Sequence, residues 1–269
     1  MITIDRYLRP KTLEEAYEAA QKKNSVVLGG MLWLRLGSRR VGTAIDLSDL
    51  GLDTLERDGD HLRIGAYTSL RTLETDAELN RLTCNAVRDA LSPIVGVQFR
   101  NIATVGGSVF GRFGFSDVIT LLTALGADVE LYRSGTLPLT ELCTMGRLSD
   151  ILTHVLVPAT PARAAYRAQR NAATDFPTLN TCAVLRTDDS GKRELTVTVG
   201  ARPLRAVPYR FAVSEHTSAD EVAEEITEKT VFATNCRASA EYRAHLCRVL
   251  VRRAVTEVLS DASSETEER

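Results

Sequence analysis

Along this chain the spacing of hydrophobic and polar positions changes several times, and each change predicts an element. "TLEEAYEAAQKK" has helical spacing, and Thr12 with Glu15 three residues later forms a capping-box pattern before it. "SVVL" reads as a short buried strand that ends at Gly29 and Gly30, and Ala44–Leu47 as another. "HLRIGAYTSL" alternates as a strand does, with a helix expected after it to about Ala90. "SDVITLLTALG" predicts a helix with Gly126 just past its end, followed by the strand "ADVELY". From about Arg163 the pattern becomes that of antiparallel strands, "AAYRAQRN" and "FPTLNTCAVLRTDDSGKRELTVTVGA", with a polar hairpin connection from Asp188 to Lys192. "SADEVAEEIT" carries Ser218 and Glu221 in capping-box spacing. "SAEYRAHLCRVLVRRAVTEVL" predicts a long amphipathic helix with Tyr242, Leu246, Val249 and Leu250 on its core face. Residues 261–269 read as a frayed polar tail. Mixed helix and strand first, then strands, then helices, predicts an α+β chain with a small C-terminal domain starting near Ala162.

Composition narrows the function classes. The 269 residues are 44% hydrophobic and 25% charged, enough for a core without disulfide or metal staples. A net charge of -2 and the lack of a basic run argue against nucleic acid or an anionic membrane surface as partner. No apolar run reaches the length of a membrane span, and "MITIDRYLRP" has no apolar signal region, so a cytoplasmic chain is expected. Cys84, Cys143, Cys182, Cys236 and Cys247 are too widely spaced for a zinc or iron–sulfur site, and all five are expected to be reduced core residues. The four histidines match no metal or triad motif, so neither a metal site nor a catalytic acid–base pair is expected.

The candidate chemistry lies in two glycine segments, "VVLGGMLWL" (Val26–Leu34) and "ATVGGSVFG" (Ala103–Gly111). Consecutive glycines can take φ > 0, so that backbone N–H groups point into one concavity and hold phosphate oxygens. Either segment alone reads equally as a tight turn without a ligand; two of like form favour a pyrophosphate site. Neither the G-x-G-x-x-G fingerprint nor a P-loop is present. Asp117 serves equally as a cofactor contact or as the N-cap of the helix beginning near Val118. Trp33 is expected in the core.

"RNIATVGGSVFGRFGFSD" resembles the R-N-x-A-T-x-G-G-N…S-D segment of the FAD-binding subunits of molybdenum hydroxylases, the xanthine dehydrogenase and carbon monoxide dehydrogenase flavoproteins. "VVLGGMLWL" resembles that family's first pyrophosphate loop, "IGAYTSLRTLE" the segment after it, and "RASAEYRAHLCRVLVRRAV" its C-terminal signature. "GARP" and "GRFGFSD" are similar to the short stand-alone FAD subunits of bacterial xanthine or nicotinate dehydrogenases.

The resemblance implies a vanillyl-alcohol-oxidase or PCMH-type FAD fold of two α/β subdomains, 1–55 and 56–161, and a C-terminal domain of a small sheet and helices, 162–260. It implies that Val26, Val27, Leu28, Gly29, Gly30, Met31, Leu32 and Trp33 line the pyrophosphate and ribityl chain. Thr104, Val105, Gly106, Gly107 and Ser108 form the second loop, Asp117 makes a polar contact to the cofactor, and Ile94 and Leu152 pack on its rings. Met31 stands where a polar residue is usual and Ser108 where Asn is common, so the backbone donors are expected to do most of the binding.

The function so implied is electron transfer by non-covalent FAD. A partner chain would carry molybdopterin, another iron–sulfur clusters, and NAD(P) or another acceptor would take the electrons. A flavin-free scaffold of the same fold and a self-contained flavoenzyme are the alternatives.

Overall fold

The computed structural model describes residues 1–188 and 190–260; the expected polar tail, 261–269, lies outside the described residues. The chain divides into two compact units: Met1–Leu73, Val97–Arg112 and Gly126–Ala159 form the first, and Glu74–Gly96, Phe113–Leu125 and the chain from Thr160 onward form the second.

The first unit holds two sheets. β1 (Thr3–Leu8), β2 (Ser25–Val27) and β3 (Arg40–Ile45) make a parallel sheet in the order β1-β3-β2. The crossover from β1 to β2 is the helix Leu13–Ala20. Thr12 caps it through Oγ1, which accepts from the Glu15 N–H at 3.2 Å, while the Glu15 carboxylate reaches back to the Lys11 N–H at 2.9 Å. Ala16 and Ala19 present this helix to Ile45, Leu47, Leu52 and Ile151. The other sheet is antiparallel: β4 (Leu55–Asp58), β5 (His61–Gly65), β6 (Asp128–Leu131), β7 (Gly135–Pro138) and β8 (Leu152–Pro158), in the order β4-β5-β8-β6-β7. The strand expected over "HLRIGAYTSL" stops at Gly65, because Ala66 to Thr68 turn away to bond other segments. β1 and β7 escape the periodicity reading because most of their residues are exposed. β8 escapes it because it is buried almost throughout and does not alternate.

The second unit is built on an antiparallel meander, β9 (Arg163–Arg170), β10 (Pro177–Thr187), β11 (Arg193–Gly200) and β12 (Val207–Val213), in the order β12-β11-β10-β9. The turn between β10 and β11 is organised by Asp188, whose Oδ1 accepts from the N–H groups of Ser190 and Lys192, both at 2.9 Å. One sheet face buries Leu179, Ala183, Leu195 and Val197 against the helices Ala219–Lys229 and Ala240–Ser260. Burying such side chains contributes about 1.5–3 kcal/mol each.

The long helix corrects two expectations. Its buried face holds Leu246 and Leu250, but Tyr242 is exposed, Val249 is half-buried, and Arg243, next to Tyr242, lies on the buried side with 1% exposure. A hydropathy pattern assigns arginine to solvent; here neutral acceptors surround it. Its Nε donates to the Thr178 carbonyl at 3.0 Å, Nη1 to those of Ala233 (2.8 Å) and Ala238 (2.6 Å), and Nη2 to Asn235 Oδ1 at 2.7 Å.

The cysteines also differ from expectation. All five are free thiols, but only Cys182 and Cys247 are buried; Cys143 is half-buried, and Cys84 and Cys236 are exposed. Burial pushes the Cys182 thiol up to about 12 and that of Cys247 to about 11, so both stay protonated and inert.

Candidate functional site

The first glycine segment leaves β2 at Val27. The Leu28 N–H still reaches the Ile45 carbonyl at 2.8 Å, and the chain then breaks from the sheet. Gly30 has φ +78 and Met31 φ +59. The N–H groups of Gly29, Gly30, Met31 and Leu32 have no hydrogen-bond acceptor among the described residues. Successive N–H groups left without acceptors beside left-handed residues, here Gly30 and Met31, are a feature of anion-binding nests. The residues around them differ in exposure. Val26 is half-buried, Val27 and Trp33 are exposed, and Leu28 and Leu32 are buried. Trp33, expected in the core, is 44% exposed. Met31 packs its side chain with Leu28, Val41 and Ala44, so an apolar contact takes the place of the usual polar one.

The second segment departs further from expectation. It is a helix, Val105–Phe110, with Thr104 as N-cap, and neither Gly106 nor Gly107 has positive φ. Its N-terminal donors already have protein partners. The Val105 N–H bonds to the Thr68 carbonyl at 2.9 Å, Gly106 to Ala66 at 2.7 Å, and Gly107 to Thr104 Oγ1 at 3.0 Å. The Ser108 N–H and hydroxyl both turn back to the Thr104 carbonyl, at 3.1 and 3.0 Å.

The bareness of this segment lets chain approach chain. A Cβ on Gly107 would lie 2.7 Å from the Gly29 carbonyl oxygen, one on Gly29 would lie 2.9 Å from Gly107 Cα, and one on Gly106 would lie 2.7 Å from the Ala66 oxygen. The two glycine segments buttress each other, and only the first presents unspent donors.

Leu152 opens β8 in the first unit and is buried. Ile94, half-buried, and Asp117 belong to the second unit. Asp117 is not the helix cap; Ser116 is, with its Oγ accepting from the Ile119 N–H at 3.2 Å. Asp117 is 6% exposed and accepts three hydrogen bonds on Oδ1: from the Tyr166 hydroxyl, from Arg170 Nη2 at 2.7 Å and from Asn180 Nδ2 at 3.2 Å. Its Oδ2 has no partner among the described residues. Burial first, and then the Asp117 charge, push the Tyr166 phenol well above its usual range, so it remains a donor.

Sequence reasoning missed Tyr166, Arg170 and Asn180, because each acts through a partner far away in the chain. Arg112, which the sequence left undecided, has φ +50 and binds the carbonyls of Met145 (2.7 Å) and Gly146 (2.9 Å).

Two family models match the chain: "FAD binding domain in molybdopterin dehydrogenase" over residues 2–160, and "CO dehydrogenase flavoprotein C-terminal domain" over residues 164–258. Among curated relatives, the xanthine dehydrogenase FAD-binding subunit of Escherichia coli O157:H7 is 26% identical, with 97% of this chain and 98% of that one covered. The nicotine 6-hydroxylase medium subunit of Paenarthrobacter nicotinovorans is also 26% identical, over 94% of this chain and 96% of its own. Among solved structures, a chain of the cyanide-inactivated Cu,Mo-CO dehydrogenase superposes with a TM-score of 0.83 at 22% identity, covering 97% of this chain and 99% of that chain, and so has the same fold.

Proposed function

Because this chain belongs to the family of FAD-binding domains of molybdopterin dehydrogenases, we propose that it is the electron-transfer subunit of such an enzyme, holding FAD without a covalent bond. In this reading iron–sulfur clusters on one partner chain deliver electrons, a molybdopterin-bearing partner oxidises the substrate, and NAD(P) or another acceptor takes the electrons away. When bound, FAD supplies the redox chemistry, and the protein supplies position and electrostatics.

The observation that carries the reading is the run of four backbone N–H groups without acceptors, Gly29 to Leu32. Unspent donors on successive residues are what a pyrophosphate site requires. Val26 to Leu28 lead into this run, and Trp33 closes it. Thr104 to Ser108 act from behind: the Thr104 cap holds the helix, and Gly107 lets it press on Gly29. The second segment thus fixes the shape of the nest without spending its own N–H groups on phosphate. In the second unit the unpartnered Asp117 Oδ2 is an acceptor for a cofactor hydroxyl or N–H, with Arg170 and Tyr166 holding the carboxylate still. In the first unit Leu152 supplies apolar surface to the rings.

Acid precipitation of the purified chain is expected to release a yellow supernatant containing FAD rather than FMN, in a one-to-one ratio. A colourless protein that cannot be reconstituted would sink this reading and leave the flavin-free scaffold. Iron and acid-labile sulfide in the isolated subunit are expected to be negligible, since the five thiols are scattered and no three potential ligands gather among the described residues. Stoichiometric iron that persists after the partner chains are removed would contradict this.

A further inference from the structure

The tripeptide Ala66–Tyr67–Thr68 takes hold of both glycine segments at once, and no part of the function described so far uses it. Backbone bonds fix the tripeptide itself. The Ala66 N–H donates to the Thr153 carbonyl and the Tyr67 N–H to that of Leu52, each at 2.8 Å. The Thr68 hydroxyl donates to the Thr54 carbonyl, also at 2.8 Å.

From this fixed point two grips extend. The carbonyls of Ala66 and Thr68 accept from Gly106 and Val105, seating the first turn of the second segment. The Tyr67 hydroxyl donates to the carbonyl of Leu28, the residue immediately before the nest, and accepts from the Leu47 N–H at 2.9 Å. Burial raises the Tyr67 phenol above its ordinary range, so it is a donor at neutral pH.

We propose that Tyr67 is a positioning residue for the cofactor: its hydroxyl locks the entry to the Gly29–Leu32 nest at the spacing set by the second glycine segment. The inference rests on the reading of that nest as the FAD pyrophosphate site. A loop already held in its binding shape does not bear the ordering cost when the ligand arrives. Without the hydroxyl, the Leu28 carbonyl and the Leu47 N–H both lose a partner, and the loop relaxes until FAD forces it back.

The test uses the full chain with FAD, comparing Tyr67→Phe with Gly30→Ala below the melting temperature of each. Tyr67→Phe keeps the ring and removes only the hydroxyl; its FAD dissociation constant is expected to rise roughly tenfold, mostly through faster release. Gly30→Ala distorts the nest itself and is expected to lose FAD by more. Normal affinity in both variants overturns the nest reading. Normal affinity in folded Tyr67→Phe, with loss in Gly30→Ala, overturns the positioning role alone. Affinity that falls only as the folded fraction falls also overturns it, because a merely structural tyrosine does that. Should Tyr67→Phe not fold, amide exchange in the native apoprotein decides. The Leu47 N–H is expected to be protected before FAD binds, with the amides of Gly29 to Leu32 protected only after. A Leu47 amide as open as theirs in the apoprotein overturns the proposal.

Discussion

Gly30→Ala is expected to weaken FAD binding by two orders of magnitude or more while the apoprotein remains folded. Gly30 has φ +78, and a Cβ there would lie 2.2 Å from the Ile102 carbonyl oxygen. A left-handed non-glycine residue costs roughly 1–2 kcal/mol, and overpacking against a neighbour typically costs about 1–3 kcal/mol. The contact is with backbone rather than a movable side-chain end, so the loop itself must shift. A loop that shifts to relieve this strain leaves the shape that would hold FAD. On binding it must return, and the cost appears as lost affinity, about tenfold for each 1.4 kcal/mol. Titration of the apoprotein with FAD, alongside its thermal melt, checks this; FAD bound with normal affinity by a folded variant would remove Gly30 from the site.

Gly107→Val is the companion substitution. Its Cβ meets the Gly29 carbonyl at 2.7 Å and Thr104 Oγ1 at 3.0 Å, both protein atoms. Like the Gly30 contact with Ile102, these contacts exist without cofactor, so both substitutions strain the apoprotein and both are expected to lower the melting temperature.

Arg243→Ala is expected to destabilise the second unit by about 3–5 kcal/mol. The guanidinium is buried and serves four acceptors, the carbonyls of Thr178, Ala233 and Ala238 and the side chain of Asn235; Thr178 is buried, Ala233 and Ala238 are half-buried and Asn235 is exposed. Leaving a buried acceptor unpaired costs about 1–3 kcal/mol, and partial entry of water keeps the sum below the full total. Arg243→Lys should recover only part of the loss, because an ammonium cannot reproduce the planar fork that meets these acceptors from Nε, Nη1 and Nη2. Denaturant unfolding followed by circular dichroism measures both variants. A change below about 1 kcal/mol for Arg243→Ala would mean that these acceptors find water at no cost.

The amino-acid sequence by itself determined many of the elements and their order, though not β1, β7, β8 or the helix Val105–Phe110. Capping patterns at Thr12 and Ser218 placed helix starts that are present, and the run from Phe176 to Ala201 announced the hairpin of β10 and β11. The two Gly-Gly pairs marked where the site lies, and the surrounding motifs pointed to its family, because such signals depend on a few neighbouring residues. Tertiary structure alone decided which donors are free. Gly106 and Gly107 look as available as Gly29 and Gly30 until Ala66 and Thr104 are seen to occupy their N–H groups. It also decided that Arg243 lies inside, that Trp33 lies outside, and that Tyr166, Arg170 and Asn180 meet on one oxygen of Asp117. Each of these depends on atoms brought to hydrogen-bonding or van der Waals distance from remote parts of the chain. A local pattern carries polarity and period; it does not carry the identity of a distant partner, and in a buried site the partner determines whether a polar group is spent or available.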